Sequence, residues 1–262
     1  MGVTGLVLGL LARRPAAVSE SNRLTKLDLR RIVALGLMAL AATGCKVASD
    51  GQNLHGARSY QSGNYDVAMQ SFQKAVTSDP TNPDGYYNMA CTMHRMGTAR
   101  NDQNMLNQAE TLYNQALDLD PNHADCYRGL AVLLVETGRS DKAFNLLKNW
   151  AVRSPQTADA RVELARLYEE FGDPEAAKTY LTEAVSLDQY NARAWNALAR
   201  LREQSGEYAQ ALANYQRSYS LNQFQPEIME RMAALNRTIA SQSSTAQPTD
   251  TRTVSAGTPT NR

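Results

Sequence analysis

The sequence predicts an all-α solenoid of five helix pairs in series, closed by one further helix. Three series of residues predict it. Glycines that suit a turn stand at Gly63, Gly97, Gly138, Gly172 and Gly206. Small residues stand at Ala68, Ala109, Ala143, Ala177 and Ala211. Prolines stand at Pro80, Pro121 and Pro155, with Gln189 and Gln223 where two more would fall. Each series advances by 34 residues and makes a single step of 41. A repeat of this length marks one supersecondary unit that buries its apolar face against the next copy. Glycine permits the tight reversal between antiparallel helices. A small side chain lets two helix axes approach where a bulky one would hold them apart. Proline cannot continue a helix interior and so ends a unit.

Residues 1–44 read as a leader and signal peptide. GLVLGLLARRP near the start is apolar and then basic, the reverse of an export signal, and reads as translated upstream of a true start near residue 22. From Arg23 the order is the expected one. Arg23, Lys26, Arg30 and Arg31 form a basic segment, and Ile32–Ala42 is an apolar run too short to span a bilayer. Ala42-Thr43-Gly44-Cys45 follows and resembles a bacterial lipobox, with Ala42 where leucine is usual. The resemblance implies lipidation of Cys45, with residues 45–48 as the link to the anchor. The expected location is therefore the cell envelope, lipid-anchored and facing the periplasm or the outside. A cytoplasmic location is the alternative if the leader is not processed.

The repeats fall at 49–82, 83–123, 124–157, 158–191 and 192–225. The first is degenerate, with Gln52 and His55 at packing positions, as terminal repeats often are. The second holds the seven extra residues, around Thr98–Asn104. They suit a lengthened second helix capped by Asp102 after a polar Thr-Ala-Arg-Asn turn, or a loop. The third carries Trp150 where a small residue is usual. The fifth shows the unit whole. Trp195, Leu198 and Ala199 lie on a first helix, Gly206 breaks it, and Tyr208, Ala211, Leu212 and Tyr215 line a second. Residues 226–240 read as one closing helix through Met229, Met232, Ala233 and Leu235. Residues 241–262 are rich in Ser, Thr, Gln and Pro and read as disordered.

These spacings resemble the tetratricopeptide repeat, whose unit runs W-x2-L-G/A-x2-Y and then G, A, F/Y, A and P at fixed offsets. The resemblance covers residues from about 49 to 236. It implies a right-handed solenoid that binds a protein or peptide partner in a concave groove lined by the first helices, and it implies no enzyme. By position the groove receives Asn53, Tyr60, Tyr87, Asn88, His94, Arg95, Arg128, Arg166, Asn196 and Arg200, with Cys91, Asp125, Glu163, Glu169 and Arg193 beside them. A clamp for a peptide C-terminus, found in some members, fails here. Asn53 and Ala57, Asn88, and Asp125 and Gly129 fill its places, and Asp125 would repel a carboxylate. Architecture and length also resemble the lipoprotein pilotins of type IV pilus systems, which bring a secretin to the outer membrane. A pilotin-like assembly factor and an adaptor for an envelope enzyme are the alternative functions.

Charge narrows the partners. The formal charge is +1, from 27 basic and 26 acidic residues. Before Cys45 stand six basic and two acidic residues, so the remainder carries 21 against 24, a net −3. A mildly acidic solenoid is a poor binder of phosphate backbones, so no nucleic acid is expected. Cys91 and His94 lie at i, i+3, and Cys126 one repeat on suggests a Cys91–Cys126 disulfide, left open by spacing alone. No cofactor, metal site or small-molecule substrate is expected.

Overall fold

The computed structural model describes residues 46–245. Cys45, the leader before it and residues 246–262 of the expected tail lie outside the described residues. Among the described residues there are eleven helices and no strand. The chain divides into a first unit ending at Thr81 and a second beginning at Asn82.

The first unit holds α1 (residues 46–61) and α2 (Tyr65–Ser78). The expected anchor link at residues 46–48 is the opening turn of α1, because no breaker separates it from the buried Ser49. Gly56 lets α1 lie on Phe72, and Ala68 and Ala75 are fully buried. His55 Nδ1 lies 2.9 Å from Ser71 Oγ.

The second unit stacks four helix pairs and a closing helix. The pairs are α3 (Pro83–Arg100) with α4 (Gln103–Leu119), α5 (Ala124–Glu136) with α6 (Ser140–Arg153), α7 (Ala158–Glu170) with α8 (Pro174–Leu187), and α9 (Ala192–Gln204) with α10 (Tyr208–Leu221). Each first helix also meets the first helix of the next repeat, as α3 meets α5, α5 meets α7 and α7 meets α9. Ala109, Ala143, Ala177 and Ala211 are all fully buried. The closing α11 (Pro226–Thr245) packs on α10 and runs on to Thr245 instead of ending at Ala240. Residues 241–245, expected to be disordered, are therefore helical.

The seven extra residues are shared between both helices of their repeat. α3 has 18 residues where α5, α7 and α9 have 13, and α4 has 17 where α6, α8 and α10 have 14. Gly97 is therefore not a turn glycine, and the expected turn at residues 98–101 is helical up to Arg100. Gly138, Gly172 and Gly206 take left-handed φ of 74°, 77° and 78°, whereas in this repeat Asn101 does so at 51°. Asn is the side chain that tolerates this conformation best after glycine. Gly97 serves close approach instead, since a Cβ there would sit 2.9 Å from Leu106 Cδ2. Asp102 then caps α4, its Oδ1 accepting from the N–H groups of Asn104 and Met105 at 2.9 and 3.2 Å.

Trp150, at a position filled by Ala or Ser in the other repeats, is fully buried and stacks on Tyr127 with ring centroids 4.1 Å apart. Its Nε1 donates to Asn122 Oδ1 at 3.1 Å. Arg161 stands where other repeats have Tyr86, Tyr127 or Trp195. Its Nη1 reaches the carbonyls of Ala151, Ser154 and Thr157 at 3.3–3.4 Å.

Asn101 supplies a direct test. Asn101→Ala forces a Cβ-bearing residue without a local hydrogen-bonding side chain into the left-handed region, at a cost of about 1 kcal/mol. Asn101→Gly retains stability. Urea denaturation of both variants measures the difference.

Candidate binding groove

The groove of the second unit is built by one face of four successive first-type helices. The period places Asp125, Asp159, Arg193 and Glu227 at equivalent positions on α5, α7, α9 and α11, and Arg166 and Arg200 at another. The result is a cavity of about 390 Å³. Its walls carry Arg128, Glu163, Arg166, Glu169, Arg193, Asn196, Arg200, Glu227 and Arg231. Val162, Leu181, Ala197, Tyr215 and Ile228 give it an apolar component.

Glu163 organises the walls. Its side chain is fully buried, and an isolated buried carboxylate is costly unless paired and hydrogen-bonded. Three helices supply the partners. From α5, Arg128 donates through Nε and Nη2 to Glu163 Oε1 at 2.9 and 2.8 Å. From α9, Arg193 Nη2 donates to the same oxygen at 2.5 Å. From α7 itself, Arg166 Nε donates to Oε2 at 3.3 Å. Further pairs extend the ladder. Arg200 Nη2 donates to Glu169 at 2.6 Å, and Arg231 Nη1 to Glu203 at 3.0 Å. Tyr215 donates its hydroxyl to Glu203 at 2.8 Å. Burial and then that carboxylate push the Tyr215 phenol up, so it stays a donor.

Of the residues expected in the groove, Arg128, Arg166, Asn196 and Arg200 line this cavity, with Glu163, Glu169 and Arg193 beside them. The others lie elsewhere. Asn53 and Tyr60 belong to the first unit, where Tyr60 meets Tyr65 edge-on at 5.3 Å. Tyr87, Asn88, His94 and Arg95 lie on α3. Tyr87 packs on the His123 ring at 4.9 Å. His94 is held between Tyr113 Oη at 3.3 Å and Glu136 at 3.0 Å. Both rings thus serve packing between repeats. His123 caps α5 by accepting from Cys126 N–H at 3.2 Å through Nδ1, which leaves Nε2 to face Asp84 at 3.3 Å. That contact holds the Asp84 carboxyl below its ordinary value.

The Cys91–Cys126 disulfide that spacing alone left open is not formed. Both thiols are free, and Tyr113 keeps them occupied separately. Tyr113 Oη donates to Cys91 Sγ at 3.5 Å, and Cys126 Sγ donates to the Tyr113 carbonyl at 3.2 Å. Burial pushes both thiols up, the opposite of what a nucleophile needs. Among the described residues no three His, Cys, Asp or Glu side chains converge as metal ligands. No helix of the described residues is long and apolar enough to cross a membrane.

Sequence reasoning missed α11 as a wall. Glu227, Ile228 and Arg231 line the cavity, and Glu227 falls one period after Arg193. That spacing was the available signal.

Residues 56–97 match the TPR repeat family, and residues 101–156, 158–201 and 192–225 match tetratricopeptide-repeat families. The chain belongs to the tetratricopeptide-repeat family. Solved structures agree on the fold. A thermophilic TPR protein of Thermus thermophilus, TTC0263, is 22% identical with a TM-score of 0.54, over 72% of this chain and all of that one. PilF of Pseudomonas aeruginosa is 20% identical with a TM-score of 0.51, over 78% of this chain and 89% of that one. Yeast Tom70 is 21% identical with a TM-score of 0.60, over 76% of this chain but only 42% of Tom70. No curated protein sequence matches significantly.

If Glu163 organises the groove, its removal leaves three arginines facing one another. Glu163→Ala should cost about 3–5 kcal/mol, the range for breaking a buried ion pair from one side. Urea denaturation at neutral pH measures this, and a loss below 1 kcal/mol would contradict the assignment.

Proposed function

We propose that this protein is a membrane-anchored interaction scaffold that holds an extended segment of a partner protein in the groove of its second unit. The observation that carries the reading is the groove itself. Three successive repeats and the closing helix present a continuous wall of fixed hydrogen-bond donors beside apolar surface. Recognition sites combine apolar area with a few placed polar groups in this way. An extended peptide leaves its backbone amides and carbonyls unpaired, and Asn196 and the arginines can satisfy them. Repeat proteins of this family serve as scaffolds, and the protonated Cys91 suits a binding module better than a catalyst.

Anchoring rests on the Ala-Thr-Gly-Cys sequence ending at Cys45, after a basic segment and a short apolar run. With residues 46–48 already helical, a lipid on Cys45 leaves almost no linker. The first repeat then sits at the membrane surface, and the partner is an envelope protein. Stable anchoring takes more than one acyl chain, as one alone binds reversibly.

Each half of the proposal has its own test. Cys45→Ala should move the protein from the membrane fraction to the soluble fraction, and unchanged fractionation would contradict the anchor. For the groove, a photo-crosslinking residue at Asn196 should capture a partner in cells, whereas one at Thr179 on α8 should not. Arg200→Glu should abolish the Asn196 product while leaving helical content unchanged. Equal capture from both positions would contradict a groove-bound partner.

A further inference from the structure

The ion pairs of the groove are layered, and the layering bears on the chemistry of the partner. In the central pairs the carboxylate lies deeper than its arginine. Glu163 is 0% exposed, and Glu169 and Glu203 are 25% exposed. Above them, Arg193 is 49%, Arg200 45% and Arg231 49% exposed. Summed charge is therefore a poor guide to what a ligand meets. In these three pairs the acid forms the lower layer and the guanidinium the upper one, while Asp125, Glu170 and Glu227 are themselves exposed. A guanidinium has five N–H donors in a fixed fork, and one carboxylate partner leaves several of them available.

Arg166 goes further. Its Nε is used by Glu163 and its Nη1 by Glu170, but its Nη2 is buried and has no hydrogen-bond partner. A buried donor without an acceptor costs about 1–3 kcal/mol. A ligand acceptor recovers that cost once the guanidinium turns to bring Nη2 to the groove surface. Arg200 occupies the equivalent position one repeat on, with only its Nη2 given to Glu169.

Resting on the groove reading above, we infer that the bound segment is acidic and carries two carboxylate side chains three residues apart, one on Arg166 and one on Arg200. The spacing follows from the solenoid. Packed helices lie about 8–10 Å apart, so equivalent positions on α7 and α9 are separated by about that distance. A segment in the extended polyproline II conformation advances about 3.1 Å per residue and returns to the same face every third residue, so residues i and i+3 cover that distance and point the same way. A spacing of two residues falls short and turns one side chain away from the groove. Val132 takes the corresponding position on α5 and Ala234 on α11, so the ladder of guanidiniums at this position is two rungs long. Charge-assisted bonds of this kind are shorter and stronger than neutral ones. Glu170, which shares Arg166, is half exposed and can turn toward solvent when a ligand carboxylate arrives.

The test uses the full-length chain and fluorescein-labelled peptides read by anisotropy. The reference peptide carries Asp-Ala-Ala-Asp between neutral flanks, and the controls carry Asp-Ala-Asp and Asp-Ala-Ala-Asn. The reference should bind about tenfold more tightly than either control, the equivalent of one charge-assisted bond. The double variant Arg166→Gln, Arg200→Gln should bind all three alike. Equal binding of the three peptides by the unaltered chain would overturn the inference. A selection from a random nine-residue peptide library separates this failure from that of the groove. Binders that lack the acidic pair but are blocked by Asn196→Trp would overturn the acidic register alone. Binders that ignore Asn196→Trp would overturn the groove reading as well.

Discussion

Close approach of paired helices is the constraint on which everything else rests. Ala68, Ala109, Ala143, Ala177 and Ala211 are fully buried, and each lies on the second helix of its pair. With no side chain beyond Cβ, they let the axes come together, so that Tyr113, Leu147, Leu181 and Tyr215 on the same second helices are also buried. Turns follow from the same demand, because helices this close need a reversal of few residues. Gly138, Gly172 and Gly206 supply it through left-handed backbone, and Asn101 supplies it where the helices are longer. A solenoid made this way repeats its surface as faithfully as its core. One face of each first helix therefore recurs along a groove, and polar residues there fall into ladders.

The ladder of the second unit is held by a buried acid. Burying Glu163 is unfavourable in itself, and the local structure offsets this by bringing arginines from α5, α7 and α9 onto its two oxygens. The arrangement ties three successive repeats through one group. It also fixes the guanidiniums in place, so that a ligand loses less freedom on binding than it would against mobile side chains. Arg231 on α11 extends the row to the closing helix, which makes that helix part of the groove as well as the end of the core.

Most of the architecture was legible because it is periodic. Helix pairs and the groove positions of Arg128, Arg166, Asn196 and Arg200 follow from 34-residue steps, and the capping role of Asp102 follows from its residue type. What the period could not supply came from side chains that depart from it. Gly97 kept the register of the turn glycines yet sits inside α3, because packing against Leu106 and Met105 decided its role. Tyr87 and His94 carried groove offsets, but Tyr113 and His123 on neighbouring helices engage them. Their fate depended on contacts between repeats, which an offset within one repeat does not contain. The pairing at Glu163 was hidden for the same reason, since its partners are 35 residues before it, three after it and 30 after it.

The central claim is that the groove is preorganised around Glu163 before any partner arrives. The most direct measurement is the hydrogen exchange of arginine Nε–H groups by NMR in the free full-length protein. Arg128 and Arg166 should show slowly exchanging Nε–H signals, and Glu163→Gln should speed both. Exchange as fast as that of an unstructured arginine in the unaltered protein would mean that the carboxylate does not hold them, and the preorganised groove would be contradicted.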